Sequence, residues 1–270
     1  MRNTLLFAAL LTITACEPPI SVVKFTTWGE DFIETGIPAD KFEDGWSVKF
    51  SRFLVVLRDT AIADTTGAVG AQQPGAKAFD LVKKGPVEVF AAAAPGKAWD
   101  VVRYAIAPDS NADATNIEAS DLALLKSRTA SLIAIGTGTK AGVTKSFEWS
   151  FTSNTLYDAC ERAGGGGKGI TLVPGKEVMV QLTVHGDHFF YDQLSGDAKL
   201  RFDPIANADA NNDNKVTLDE LATVQLTALP QGQYGTTGAA NIRNLREFIT
   251  QNMRTVGHFE GEGECTPKSR

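Results

Sequence analysis

The sequence predicts a mainly β protein, an antiparallel β-sandwich followed by a small C-terminal helical module. Short segments rich in β-branched and aromatic residues, bounded by Gly, Pro or Asp, recur through residues 22–199. Helical periodicity between these segments is nearly absent, and residues 119–126 are the one candidate for a helix there. Beyond residue 200, apolar residues recur at the spacing of an amphipathic helix.

The N-terminal residues are predicted to direct export. Arg2 precedes an apolar run at 5–13 that is too short to span a membrane. The run closes with Ile13-Thr14-Ala15-Cys16, which resembles the lipobox of bacterial lipoproteins. That resemblance implies a signal peptide over 1–15 and a lipid anchor on Cys16, with the outer membrane or cell surface favoured over the inner membrane. An ordinary cleaved signal with an incidental cysteine is the alternative, and both interpretations place the protein outside the cytoplasm.

Seven segments are predicted as strands of the sandwich. They are residues 22–27, 47–58, 87–92, 99–107, 131–136, 147–151 and 177–185. In the last segment Val178, Val180, Leu182 and Val184 share one face, and the residues between them share the other. This alternation is typical of a sheet with one face on the core and the other in water.

Residues 209–220, DANNDNKVTLDE, place oxygen-bearing groups where a calcium loop needs them. In chain order these groups are Asp209, Asn211, Asp213, the Lys215 carbonyl, Thr217 and Glu220. The sixth position requires a positive φ, which Asn214 tolerates better than most residues other than Gly. The segment resembles the calcium loop of the EF-hand family, over the loop and the helix that follows. This resemblance implies that the protein binds calcium.

A second interpretation explains part of this segment without a metal. Thr217 and Glu220 also form a T-x-x-E capping box, and the Asp and Asn residues before them can form a solvated turn. Calcium is the preferred interpretation because capping uses only two of the six ligand positions. The preceding helix, with Asp203 and Pro204 at its start, is short, which favours a structural ion over a switch. A similar start at 109–120 lacks the final acidic residue and is interpreted as an Asx-rich turn.

The C-terminal module is expected to contain a helix that begins at Thr237 or Asn241 and ends at Gly257. Its apolar residues are Ile242, Leu245, Phe248, Ile249 and Met253. The predicted regions are a signal peptide (1–15), a lipidated cysteine and tether (16–21), a β-sandwich domain (22–199), an EF-hand-type helical module (200–265) and a tail (266–270).

The chain has three cysteines. If Cys16 is lipidated, Cys160 and Cys265 remain, and in an oxidising compartment they are predicted to form a disulfide. Such a bond would join the middle of the chain to its tail.

The chain also has three histidines. Two lie in His185-Gly186-Asp187-His188, and the third, His258, shortly precedes Cys265. The predicted disulfide would hold the tail against the sandwich and allow His258 to approach the other two. Three imidazoles with a carboxylate such as Asp187 or Glu260 suit zinc or copper. The sequence alone favours the alternative that His185 and His188 border a strand edge and are hydrogen-bonded to carboxylates.

Several functional classes are not expected. A formal charge of −6 argues against nucleic acid as a partner. The glycine clusters at 136–142 and 164–169 miss the nucleotide-binding spacings, and no serine stands in a nucleophile elbow, so no enzyme is predicted. The preferred hypothesis is a membrane-anchored calcium-binding lipoprotein that recognises a protein or glycan.

The alternative hypothesis is a periplasmic or surface protein that binds copper or zinc through the three histidines. An exported sandwich with histidines near a strand end resembles periplasmic copper-associated proteins of the MbnP type. No diagnostic motif matches, and no residue role is carried over.

Overall fold

A computed structural model describes residues 19–239 and 241–270. The predicted signal peptide and Cys16 lie outside the described residues. Within the described part of the chain, no helix combines the length and the apolar character needed to cross a membrane.

The protein is mainly β, as predicted. Its strands are β1 (Ile20–Trp28), β2 (Ser47–Ala63), β3 (Val69–Gln72), β4 (Lys77–Asp80), β5 (Val87–Pro95), β6 (Ala98–Trp99), β7 (Val101–Ile106), β8 (Asp113–Ala114), β9 (Leu132–Lys140), β10 (Val143–Phe151), β11 (Thr155–Glu161), β12 (Ile170–Thr171), β13 (Glu177–Val184), β14 (Lys215–Val216), β15 (Gly257–Phe259) and β16 (Glu264–Ser269). Its α-helices are α1 (Glu30–Glu34), α2 (Ala119–Ser127), α3 (Asp203–Ala206), α4 (Leu218–Thr223) and α5 (Leu245–Asn252). All seven predicted strands are confirmed, with 99–107 divided between β6 and β7, and the predicted helix at 119–126 is α2.

The strands form two main sheets. The smaller has the order β15-β13-β1-β5, and the larger follows the path β14-β10-β9-β2-β7-β11-β16 with β3, β4 and β8 attached. Most strand pairs are antiparallel, as predicted, but β1 pairs in parallel with β13, β10 with β14 and β4 with β8. Strands that are far apart in the chain are not joined by a hairpin, so no local turn constrains their direction.

Both sheets contribute side chains to one hydrophobic core, which is consistent with the predicted sandwich. Phe25 and Val180 of the smaller sheet belong to the same buried cluster as Phe53 and Trp149 of the larger. Apolar burial of this kind is the main stabilising contribution to the fold.

The two faces of β13 only partly follow the predicted alternation. Val180, Leu182 and Val184 are fully buried. Met179, on the other face, is 54% exposed, but Thr183 on that face is buried as well. The reason is that the turn after β15 folds onto this side chain, and the Thr183 hydroxyl donates to the Gly261 carbonyl at 2.7 Å.

The predicted C-terminal helical module is not shown as a separate unit. Residues 200–265 contain α3, α4 and α5, of 4, 6 and 8 residues, together with β14, β15 and the start of β16. Strand β14 extends the larger sheet, β15 extends the smaller one, and β16 pairs with β11. The segment therefore completes both sheets as well as supplying helices.

The predicted start of the last helix is corrected. Helix α5 begins at Leu245, because the side chain of Asn244 accepts a hydrogen bond from the Glu247 N–H (3.0 Å) and caps it there. It ends at Asn252 and continues into a 3-10 turn, Met253–Thr255.

The predicted disulfide between Cys160 and Cys265 is confirmed, with an S–S distance of 2.04 Å. Both cysteines are buried, one on β11 and the other on β16. The bond and the β11–β16 pairing hold the tail against the sheets, close to where β15 meets β13.

Candidate functional site

The three histidines lie in one buried cluster. One ring nitrogen each of His185, His188 and His258 lies within 4.8 Å of the others, and the residues are 7%, 7% and 4% exposed. The Nε2 atoms of His188 and His258 are 3.2 Å apart. The rings of His185 and His258 stack, with centroids 4.0 Å apart and planes 6° from parallel. The predicted approach of His258 to the other two is confirmed.

Backbone pairing between β13 and β15 assembles this cluster. His258 is opposite Thr183 in the register of the two strands, and the His185 N–H donates to the Val256 carbonyl at 2.8 Å. After His185 the chain turns into a 3-10 helix, Gly186–Phe190, which carries His188. A β-carbon at Gly186 would lie 2.8 Å from Cγ1 of Ile33, so this close turn requires glycine.

The hydrogen bonds of Thr255 determine the tautomer of His188. The Thr255 hydroxyl donates to the Asn252 carbonyl at 2.8 Å, so its one proton is already used. Nδ1 of His188 lies 2.8 Å from the same hydroxyl oxygen and must therefore carry a proton and donate it. Nε2 of His188 therefore carries the lone pair and accepts a hydrogen bond from Nε2 of His258 at 3.2 Å. An outer hydrogen bond that fixes a histidine in this way is common behind metal ligands.

Lowered pKa values keep two of the imidazoles, those of His188 and His258, neutral. Burial, together with the neighbouring His258, lowers the pKa of His188 well below its usual value. Burial and the nearby His185 lower the pKa of His258 to about 4. Burial also acts to lower the pKa of His185, but the carboxylates of Glu30 and Asp187 outweigh it and raise that pKa overall.

The carboxylates expected beside the histidines, Asp187 and Glu260, do not join the donor set of the three imidazoles. Asp187 is close to His185, but its Oδ2 accepts from the Tyr191 hydroxyl (3.0 Å), and burial raises its pKa. Glu260 accepts a hydrogen bond from the backbone N–H of Gln181 at 3.0 Å. Neither belongs to the set formed by the three histidines.

Two other carboxylates, which sequence reasoning missed, stand next to His185. Glu30 and Glu262 form a second donor set with this histidine, again within 4.8 Å. Glu30 lies at the start of α1, and its contact with the His185 ring, 3.4 Å from Oε2 to Nε2, lowers its pKa. No spacing in the sequence connects Glu30 with His185, because the two meet only through the packing of the fold.

In the segment 209–220, residues 209–217 form a compact loop between α3 and α4, and residues 218–220 begin α4. The carboxylate of Asp209 accepts from the backbone N–H groups of Asp213 (3.1 Å) and Asn214 (3.0 Å). Asn214 has a φ of 63°, the conformation expected at the sixth position of the loop. Asn211 and Asp213 each accept from the N–H two residues ahead, at 2.9 and 2.8 Å. The loop is therefore held together by its own polar side chains.

The predicted capping box is confirmed, and it uses one oxygen of Glu220. Oε2 of Glu220 accepts from the backbone N–H and the hydroxyl of Thr217, both at 2.9 Å. Oε1 is buried and has no hydrogen-bond partner. Among the described residues, Asp209, Asp213 and Glu220 do not form a donor set as close as those of the histidines.

A lysine from the larger sheet contacts the loop. Nζ of Lys145 lies 2.6 Å from Oδ2 of Asp209 and 3.1 Å from Oδ1 of Asn214. The Asp209 side chain is fully buried and that of Lys145 is nearly so. Strand β14, which contains loop residues Lys215 and Val216, pairs with β10.

The segment at 109–120 begins with an Asx turn, as predicted. The N–H of Asn111 donates to Oδ1 of Asp109 at 2.8 Å. Oδ2 of Asp109 is paired with Arg58 at 3.1 Å.

No protein-family model matches this chain, and no curated protein matches it. Among solved structures, the chain is similar to MbnP from Methylosinus trichosporium, with a TM-score of 0.36 and 10% identity. That similarity covers 63% of this chain and 77% of the other.

Proposed function

We propose that this protein is an exported metal-binding protein in which His185, His188 and His258 bind one copper or zinc ion. The observation on which the proposal mainly rests is the 3.2 Å distance between the Nε2 atoms of His188 and His258. Two nitrogens that each bind one tetrahedral ion at about 2.0–2.1 Å lie about 3.3 Å apart. The two imidazoles thus already have the separation of two ligands of one ion, and a metal would replace the hydrogen bond that joins them, with release of the proton from Nε2 of His258.

The protonation states support the same proposal. A metal competes with protons for imidazole nitrogens, so a histidine that is neutral at pH 7 binds more readily. The pKa of His188 is well below its usual value and that of His258 is about 4. The hydrogen bond to Thr255 leaves the lone pair of His188 on the nitrogen that faces His258.

The donor types favour copper or zinc over harder cations. Imidazole suits both metals, whereas magnesium and calcium prefer oxygen ligands. Cys160 and Cys265 supply no thiolate, because they are bonded to each other. A carboxylate such as Glu30, 3.4 Å from Nε2 of His185, is close enough to balance part of the ion's charge.

Elemental analysis of the exported chain, produced without a His tag or chelator, tests this proposal. We expect about one copper or zinc per chain, and His188→Ala is expected to remove it. His188→Gly supplied with free imidazole should recover part of the binding, because the imidazole replaces the missing ligand. Wild-type protein that retains neither metal, even after dialysis against each, would overturn the proposal.

We propose, second, that the loop 209–220 binds calcium as a structural ion. Two observations favour it: the buried Oε1 of Glu220 has no partner, and Asn214 has the φ that this loop requires. An ion there would give Glu220 its missing partner and link α3 to α4.

Glu220→Gln tests the calcium proposal. Gln retains an oxygen that can accept the capping hydrogen bonds but removes the charge, so we expect the calcium-dependent rise in melting temperature to be lost. Asp219→Asn is the matched control, because Asp219 lies in the same helical turn and its side chain is 92% exposed. An equal calcium response in wild type and Glu220→Gln would exclude the loop as a calcium site.

We propose further that Cys16 carries a lipid anchor and that the protein is a binding module for a protein or glycan, with no catalytic activity. The Cys160–Cys265 disulfide supports export, because disulfides persist in oxidising compartments. Cells fed a radiolabelled fatty acid should label the wild type but not Cys16→Ser. Equal labelling of both would remove the anchor from the proposal.

A further inference from the structure

A surface pocket of about 350 Å³ opens next to the histidine cluster. Its wall carries four acidic side chains, Glu30, Asp31, Asp187 and Glu262, together with His185. No Lys or Arg is among the described residues that line it. A concave wall with charge of one sign raises the local concentration of ions of opposite sign and speeds their arrival.

Three of these side chains form a donor set of their own. One ligand atom each of Glu30, His185 and Glu262 lies within 4.8 Å of the others. His185 is 7% exposed, and its buried Nε2 has no aligned hydrogen-bond partner. Oε2 of Glu30 lies 3.4 Å from that nitrogen. Because buried polar atoms are rarely left without a hydrogen bond, Nε2 points to a ligand that would complete its contacts.

The backbone at Glu30 holds its carboxylate at this place. Glu30 has a φ of 55°, a left-handed conformation that a β-carbon disfavours. A β-carbon at the preceding Gly29 would lie 2.8 Å from the carbonyl oxygen of Leu81, so the approach to Glu30 also requires glycine. Strained positions of this kind are concentrated at binding sites.

His185 belongs to both donor sets. It lines the pocket together with Glu30 and Glu262, and its ring stacks on His258 at a centroid distance of 4.0 Å. His188 and His258 are buried and do not line the pocket. A cation in the pocket can therefore reach the buried pair by exchange through His185.

We propose that Glu30, Glu262 and His185 form a loading subsite for a divalent transition-metal cation, Zn²⁺ or Cu²⁺, and that His185 passes this cation on to His188 and His258. The inference depends on the metal-binding function proposed above. The carboxylates capture the hydrated cation, and the imidazoles, which such metals prefer, then replace them. No electron is transferred, because the ion only exchanges oxygen ligands for nitrogen ligands.

The rate of metal loading tests this subsite. The exported full chain is mixed with Zn²⁺ held by a chromophoric chelator, and with Cu²⁺ in a parallel series, and transfer is followed by stopped flow. We expect Glu30→Gln/Glu262→Gln to load at least about tenfold more slowly than the wild type. Added salt should slow the wild type markedly and the variant much less, because the variant has lost part of the attraction that salt screens.

The control pair is Glu43→Gln/Glu177→Gln, which removes the same charge at two exposed positions outside the pocket. It is expected to load at the wild-type rate. Glu262→Gln alone changes an exposed residue, so it keeps the test valid if the double variant folds poorly. It should load several-fold more slowly than the wild type.

The outcomes separate this inference from the function on which it depends. A wild type that binds one metal, loses it in His188→Ala, and loads no faster than Glu30→Gln/Glu262→Gln would overturn the loading subsite alone. A wild type that takes up neither metal would overturn both. Slower loading in the pocket variants but not in the control supports the subsite.

Discussion

The loop at 209–220 and the histidine cluster assemble the groups proposed to bind a metal in opposite ways. The loop takes its oxygens from consecutive residues and fixes them with its own hydrogen bonds, such as those from Asp213 and Asn214 to Asp209. The cluster joins His188 to His258, which are 70 residues apart, through strand pairing. The loop therefore depends on local sequence, whereas the cluster depends on the complete fold.

The two regions also differ in charge. At the loop, Lys145 of β10 forms an ion pair with the buried carboxylate of Asp209. In the cluster His188 and His258 are kept neutral by burial, so the proposed metal would be attracted by imidazole lone pairs and not by charge. A calcium ion at the loop would have to replace the lysine ammonium at Asp209, whereas copper or zinc at the cluster would meet two neutral imidazoles.

The largest expected difference between the two regions follows from removing the disulfide. Cys160→Ala/Cys265→Ala frees the tail near β15 and is expected to cost about 2–5 kcal/mol of unfolding free energy. The affinity for copper or zinc should fall as well, because His258 is held on β15. The calcium response of the loop should persist. Denaturant unfolding and metal titration of the same variant measure the two effects.

An unchanged metal affinity in that variant would mean that strand pairing alone holds His258. A lost calcium response would mean that the loop also depends on the tail, and the contrast between local and tertiary assembly would then fail.

The two regions are expected to lose their contributions to stability in different pH ranges. In the folded protein His258 has a pKa of about 4, and the pKa of His188 is also lowered. As the pH falls, a histidine of the unfolded chain therefore takes up a proton while these two are still neutral in the folded protein. The unfolded state then binds more protons, so the metal-free protein should lose stability as pH falls from about 6.5 to about 4, by up to about 3 kcal/mol from His258. Urea unfolding across this range measures the loss.

The loop responds to acid at lower pH. Lys145 and two backbone N–H groups lower the pKa of Asp209 in the folded protein. Asp209 therefore contributes to stability at any pH above the pKa that it has in the unfolded chain. That contribution is lost only as the pH falls through the lower pKa of the folded protein. Replacing His188 and His258 by Asn should flatten the profile between pH 6.5 and 4. A profile that keeps its slope would show that other groups titrate there.

The sequence predicted what is local and missed what is tertiary. The strands, the capping box of Thr217 and Glu220, and the left-handed Asn214 all follow from short-range patterns. The parallel pairing of β1 with β13 and the position of Glu30 beside His185 have no such pattern. The approach of His258 was accessible because one long-range constraint, the disulfide, could be inferred from the cysteine count.

The smallest expected effect concerns Lys145. Lys145→Met keeps the aliphatic stem but removes the ammonium that lies 2.6 Å from Asp209. Without calcium, the buried carboxylate loses its charged partner and keeps the two backbone N–H donors, so the melting temperature in chelator should fall. With calcium, the ion replaces that partner and no longer meets a neighbouring positive charge, so calcium affinity should rise several-fold.

Lys215→Met is the matched control, because Lys215 carries the same charge within the loop, is paired with Glu148 at 3.8 Å, and is expected to bind the ion through its backbone carbonyl. It should change calcium affinity less than Lys145→Met does. A lower affinity in Lys145→Met would mean that the lysine orients Asp209 for the ion instead of competing with it. The loop would then need a tertiary contact, as the histidine cluster does, and its assembly would not be local.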